Sequence, residues 1–142
     1  MILKRKLFKL IATLFLLNTT IFASEVRNTL IEKSDFYTEN NLNIIITKDH
    51  PEFILKLKSN PTTGYSWFLR EYSRNLIKPI KHRFQAATQK LIGASGYEWW
   101  TFSVQPVGFV VPQHTTIRMI YARPWQGADR ATQVVFRVTT IP

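Results

Sequence analysis

The 142-residue sequence contains no cysteine. That absence removes disulfides, on which many small exported folds rely, so burial and hydrogen bonding must hold the chain together. It also removes a thiol nucleophile and the acylated cysteine of a lipoprotein anchor. Acidic residues are few, nine Asp and Glu against 19 Lys and Arg. The N-terminal apolar stretch, Leu10–Leu17, is interrupted by Thr13 and falls short of the ~20 residues that cross a bilayer. No window carries a helical period, no repeat recurs and no segment is low in complexity. The histidines are His50, His82 and His114, and none has metal-ligand spacing. No metal and no cofactor are expected.

What is present first suggests export. Lys4, Arg5, Lys6 and Lys9 form a positive start, the short apolar run follows, and Ile21-Phe22-Ala23 ends on a small residue. This is the layout of a cleavable secretory signal over residues 1–23, cut after Ala23, with an uncleaved anchor as the alternative. Residues 24–41 form a polar N-terminal extension with room for one irregular strand, and 42–142 is long enough for one domain with its own core. Beyond Ala23 the formal charge falls to +6, from 15 Lys and Arg against nine Asp and Glu. These charges are scattered, and the densest group, Arg74 to Arg83, reads as a solvated loop, so nucleic acid is not an expected partner. A secreted or periplasmic protein, free of the membrane after signal removal and acting as a monomer, is the expectation.

From Leu42 the chain alternates. Leu42–Thr47 is rich in isoleucine, and His50-Pro51 marks a turn. Phe53, Leu55 and Leu57 then share one face, the period-two signature of a half-buried strand, and Trp67 and Leu69 resume it after a loop. Glu71–Lys90 is less regular and reads as a long connection with one short strand near Phe84. Trp100, Phe102 and Val104 share a face in the strand Tyr97–Val104. Ile117, Met119 and Tyr121 do so in Thr115–Tyr121, and Val134, Phe136 and Val138 in Thr132–Thr140. Short strands separated by turn signals predict an all-β, antiparallel sandwich.

Three loops are chemically unusual. In Asn60-Pro61-Thr62-Thr63-Gly64-Tyr65, Pro61 disfavours a helical Asn60 and Gly64 permits a sharp reversal. The result is either a plain tight turn or a stiff tip presenting two hydroxyls; Pro61 also bars glycosylation at Asn60. Gly93-Ala94-Ser95-Gly96 is either a flexible hairpin connection or a backbone that another chain can approach closely. It is not a phosphate loop, and Ser95 is not in a nucleophile elbow. In Arg123-Pro124-Trp125, the tryptophan is either a lid on the core or an exposed residue of the type enriched at binding hot spots. In immunoglobulin-like strand order these loops fall between strands B and C, D and E, and F and G, where they can share one edge. Another use of such a fold is a periplasmic binding or adhesion module that works through its sheet edges or faces. An enzyme is not expected, since no nucleophile, base or metal set assembles.

The Asn60–Tyr65 segment, the Gly93–Gly96 loop followed by Trp100-Thr101-Phe102, and Tyr121-Ala122-Arg123-Pro124-Trp125 resemble, in order, the three signature segments of the chagasin family. The resemblance spans about Leu42 to Ile141. It implies an immunoglobulin-like sandwich that inhibits papain-like cysteine proteases reversibly and competitively. Thr62 would stand nearest the protease's catalytic cysteine, with Thr63 and Gly64 shaping the tip. The glycine-rich loop would lie along one side of the cleft, and Arg123, Pro124 and Trp125 on the other. Two departures stand out: Ser95-Gly96 replaces the family's adjacent glycine pair, and Val107–His114 is longer and more apolar than the family's turn, suggesting an extra contact or a bulged strand end.

Overall fold

A computed structural model describes residues 36–87, 94–127 and 131–142. The expected signal peptide, Gly93 and most of the N-terminal extension lie outside these residues. Within them run eight strands: β1 (Phe36–Tyr37), β2 (Asn43–Thr47), β3 (Glu52–Ser59), β4 (Ser66–Tyr72), β5 (Ile77–Gln85), β6 (Gly96–Val104), β7 (Gln113–Ala122) and β8 (Thr132–Ile141). They form two four-stranded sheets, ordered β1-β3-β6-β5 and β2-β8-β7-β4. The pairings between β3 and β6, β5 and β6, β4 and β7, and β7 and β8 are antiparallel. The edge strands β1 and β2 pair parallel, with β3 and β8. The fold is the all-β sandwich expected from the alternating pattern and the immunoglobulin-like one that the resemblance implies; the two parallel edge pairs depart from a wholly antiparallel arrangement.

The core lies between the sheets. Phe53, Leu55 and Leu57 of β3 face Ile117 and Met119 of β7 and Phe136 and Val138 of β8, with Ile44 and Ile46 of β2 closing one side; all are buried. Alternation makes this possible, because side chains two apart point to one face. Thus Ile45, between two buried isoleucines, is 60% exposed. Phe53 and Phe102 stack at 5.5 Å between ring centroids. The indole of Trp67, on one sheet, donates through Nε1 to the carbonyl of Lys58 on the other at 2.9 Å.

The structure corrects two expectations. The Glu71–Lys90 region holds a nine-residue strand rather than a short one near Phe84. It is an edge strand in which only Ile77 is buried, so no apolar alternation marked it. Pro79 is tolerated there because an edge strand can spare an amide, and a register shift falls between Pro79 and Lys81. Likewise, Val107–His114 is not a bulged strand end. Pro106–Phe109 forms a 3-10 turn that buries Phe109 and is held by the Thr140 hydroxyl donating to the Gly108 carbonyl.

Phe102 is fully buried. Phe102→Ala should destabilise the domain by about 3–5 kcal/mol, measured as a lower urea midpoint with an unchanged slope.

Candidate functional site: one rim built from three loops

Strand register decides where the three loops emerge. Ser59, the last residue of β3, pairs with Gly96, the first of β6. Gln85, the last of β5, pairs with Tyr97. Ser66, the first of β4, pairs with Ala122, the last of β7, and Tyr121 pairs with Thr132 at the start of β8. The connections β3–β4, β5–β6 and β7–β8 therefore leave the sandwich at the same end. Among the described residues, sheet order sets their sequence along that rim: 94–95 ahead of β6, then 60–65 crossing from one sheet to the other, then 123–127 after β7. The 105–112 connection lies at the opposite pole, so Val107, Val110 and Val111, though exposed, cannot extend this rim.

The 60–65 loop is stiff by construction. Pro61–Thr63 is a 3-10 turn, and Gly64 closes it at φ 80° with its amide donating to the Pro61 carbonyl. The Thr63 amide and hydroxyl both donate to the Asn60 carbonyl, at 3.1 and 2.7 Å. The Thr62 hydroxyl donates to Asn60 Oδ1 at 2.5 Å. Pro61, Thr62 and Thr63 are all exposed. The loop is a tight turn with an exposed tip, and most of its polar groups are engaged within it.

The third loop leans on the first. Arg123 Nε donates to the Thr63 carbonyl at 3.0 Å, and its guanidinium lies 4.6 Å from the Tyr65 ring centroid. The Tyr121 hydroxyl accepts from the Asn60 amide at 2.9 Å, and its ring stacks on Tyr65 at 5.3 Å. Trp125 is 72% exposed, so it is no lid. Its six-membered ring rests on Gly64: a β-carbon there would stand 2.9 Å from Cη2 and 3.2 Å from Cζ2. Glycine is favoured at 64 by the left-handed backbone, and a side chain there would push the indole aside. Pro124 is exposed beside Trp125.

In the second loop, Ala94 and Ser95 are half-buried and Gly96 is buried. A side chain at 96 would meet the Gln85 carbonyl and the Phe84 ring. Gly96 thus fixes the close approach of β5 and β6 and does not act as a flexible hinge.

Sequence reasoning missed Glu98. It occupies an inward position of β6, two residues before Trp100, and its side chain is 1% exposed. Oε1 accepts from the Ser59 hydroxyl at 2.6 Å, the Ser66 hydroxyl at 2.9 Å and the Trp67 amide at 3.0 Å. Oε2 lies 2.8 Å from His82 Nε2. A charged residue at an inward place in an apolar stripe was the available signal. His114 bonds the Thr139 hydroxyl. Among the described residues no group of three His, Cys, Asp or Glu is placed to hold a metal ion.

Comparison with known proteins fits this geometry. Residues 47–140 match the family described as "Chagasin family peptidase inhibitor I42". Chagasin of Trypanosoma cruzi is 30% identical over 83 residues, covering 56% of this chain and 71% of chagasin. Among solved structures, the cysteine protease inhibitor EhICP2 of Entamoeba histolytica aligns with a TM-score of 0.60 at 20% identity, covering 74% of this chain and 93% of its own. Amebosin aligns with a TM-score of 0.56 at 22% identity, over 75% and 96% of the two chains. PbICP-C, solved in complex with falcipain-2, aligns with 0.55 at 15% identity, over 74% and 88%. With two-thirds of its length matching the family model, the chain belongs to the chagasin family of peptidase inhibitors.

Proposed function

We infer that this protein is a reversible, competitive inhibitor of papain-like cysteine proteases, and that the rim of three loops is the surface that closes the protease cleft. The observation that carries the reading is the locked, exposed 61–63 tip with Trp125 held against its flank. The family is one of inhibitors rather than enzymes, and a relative in this fold has been solved in complex with falcipain-2.

The tip enters the cleft with Thr62 nearest the catalytic cysteine. Thr63 and Gly64 set its shape, while Asn60, Pro61 and Tyr65 hold its base. Ala94 and Ser95 line one side of the cleft, while buried Gly96 anchors the base of their loop. Arg123, Pro124 and Trp125 line the other. Cleavage requires a peptide bond presented in near-attack alignment. Here the carbonyls of Asn60, Pro61 and Thr63 already accept hydrogen bonds within the rim, so the tip resists being drawn out into an extended strand. It fills the cleft without becoming a substrate. A loop ordered before binding loses little conformational freedom on docking, and three such loops can build a standard interface of about 800 Å² per partner.

Export is part of the same proposal. The basic start, short apolar run and Ala23 support a signal peptide over residues 1–23, which would place the inhibitor in the periplasm or outside the cell.

Two substitutions test the rim against papain in a steady-state inhibition assay. Trp125→Ala should weaken binding by about 2 kcal/mol or more, roughly a thirtyfold rise in the inhibition constant, with the melting temperature little changed because the indole is largely exposed. Gly64→Ala should weaken inhibition about tenfold or more, since it strains a left-handed backbone by ~1–3 kcal/mol and displaces Trp125. Wild-type protein that leaves papain fully active at micromolar concentration would refute the reading.

A further inference from the structure

We propose that Glu98 is a positioning residue for inhibition: its carboxylate fixes both stems of the 60–65 loop and thereby sets the shape of the tip. The proposal rests on the inhibitor reading above, but its central element, the bracing of the loop, can be measured without a protease.

The 60–65 loop crosses between sheets, leaving β3 at Ser59 and entering β4 at Ser66. Crossing loops have no ladder partner to hold them, so their stems need another tether. Glu98 stands in register opposite Leu57 on β6, directly beneath the crossing. One oxygen, Oε1, accepts hydrogen bonds from the last residue before the loop and from the first two after it, Ser59, Ser66 and Trp67. Both stems are thus tied to a single atom from a third strand. The side chain is 1% exposed, so water has little access to replace any of these bonds.

Packing alone does not call for a carboxylate here. Leu55 and Leu57 fill neighbouring inward positions with apolar groups, and an apolar residue would avoid the desolvation cost of a buried charge. A fully satisfied buried polar network instead contributes geometric uniqueness. Nor is Glu98 the only link between the sheets at this end, because the Trp67 indole bonds the Lys58 carbonyl independently. Loss of the carboxylate should therefore loosen the loop without separating the sandwich.

The side-chain chemistry distinguishes bracing from bulk. In Glu98→Gln the amide oxygen can accept the same three bonds, and the NH₂ can donate to His82. In Glu98→Leu the volume remains but the acceptor is gone, leaving two hydroxyls and one amide unpaired. The test measures the inhibition constant against papain together with amide hydrogen exchange. Glu98→Leu should raise the inhibition constant at least tenfold and speed exchange at Gly64, Ser66 and Trp67 at least tenfold, with β7 and β8 amides unchanged. Glu98→Gln should stay within threefold of wild type in both. If Glu98→Leu does not fold, the Ser59→Ala/Ser66→Ala double variant, which removes only the two hydroxyls, should reproduce its behaviour. Exchange and inhibition within threefold of wild type in the Leu or double variant would overturn the proposal, as would a Gln variant as impaired as Leu. Failure of the wild type to inhibit papain would sink the inhibitor reading and, with it, the inhibitory role of Glu98; the exchange measurements would still decide whether it braces the loop.

Discussion

A carboxylate sealed beneath the rim is the constraint on which the functional end of this sandwich depends. Two sheets packed face to face are held mainly by non-directional burial, which tolerates small slides of one sheet over the other. Directional bonds that cross the gap do not. In a chain without disulfides, that role falls at this end to Glu98, which reaches from β6 to Ser66 and Trp67 of the opposite sheet, and to the Trp67 indole bonding back to Lys58. Above them the Tyr121 hydroxyl continues the series by holding the Asn60 amide. Successive layers of hydrogen bonds thus lead from the core to the tip.

The rim shows how a short loop acquires rigidity from its neighbour. The 61–63 turn alone has only its internal bonds. The third loop adds Arg123 on the Thr63 carbonyl and Tyr65 ring, and Trp125 on the Gly64 backbone. Much of the Trp125 indole nevertheless remains in water, with one face supported and the rest available. Such an arrangement suits a surface that must be both ordered and adhesive before it meets a partner.

The strands that pack on both sides of the core could be read from sequence because half-buried strands alternate. Phe53, Leu55 and Leu57, and likewise Val134, Phe136 and Val138, follow that rule with few exceptions. β5 obeys no such rule, since its side chains mostly face solvent and only Ile77 is buried. Glu98 was illegible for the opposite reason: it sits where the pattern asks for an apolar residue, and its partners lie on three other strands. Tyr121 was read as an inward-facing ring, which it is, but the use of its hydroxyl depends on Asn60, 61 residues away. That the three loops share an end follows from register, which alternation alone does not fix.

The edge strand β5 carries a consequence beyond the rim. Unpaired strand edges are templates on which another chain can add itself, and the same chemistry drives self-association. Here Pro79 removes one donor from the row, the shift between Pro79 and Lys81 breaks its spacing, and Lys78, Lys81 and Arg83 surround it with like charge. A second copy approaching this border would meet an interrupted ladder and electrostatic repulsion at once. Both features disfavour strand addition along this border.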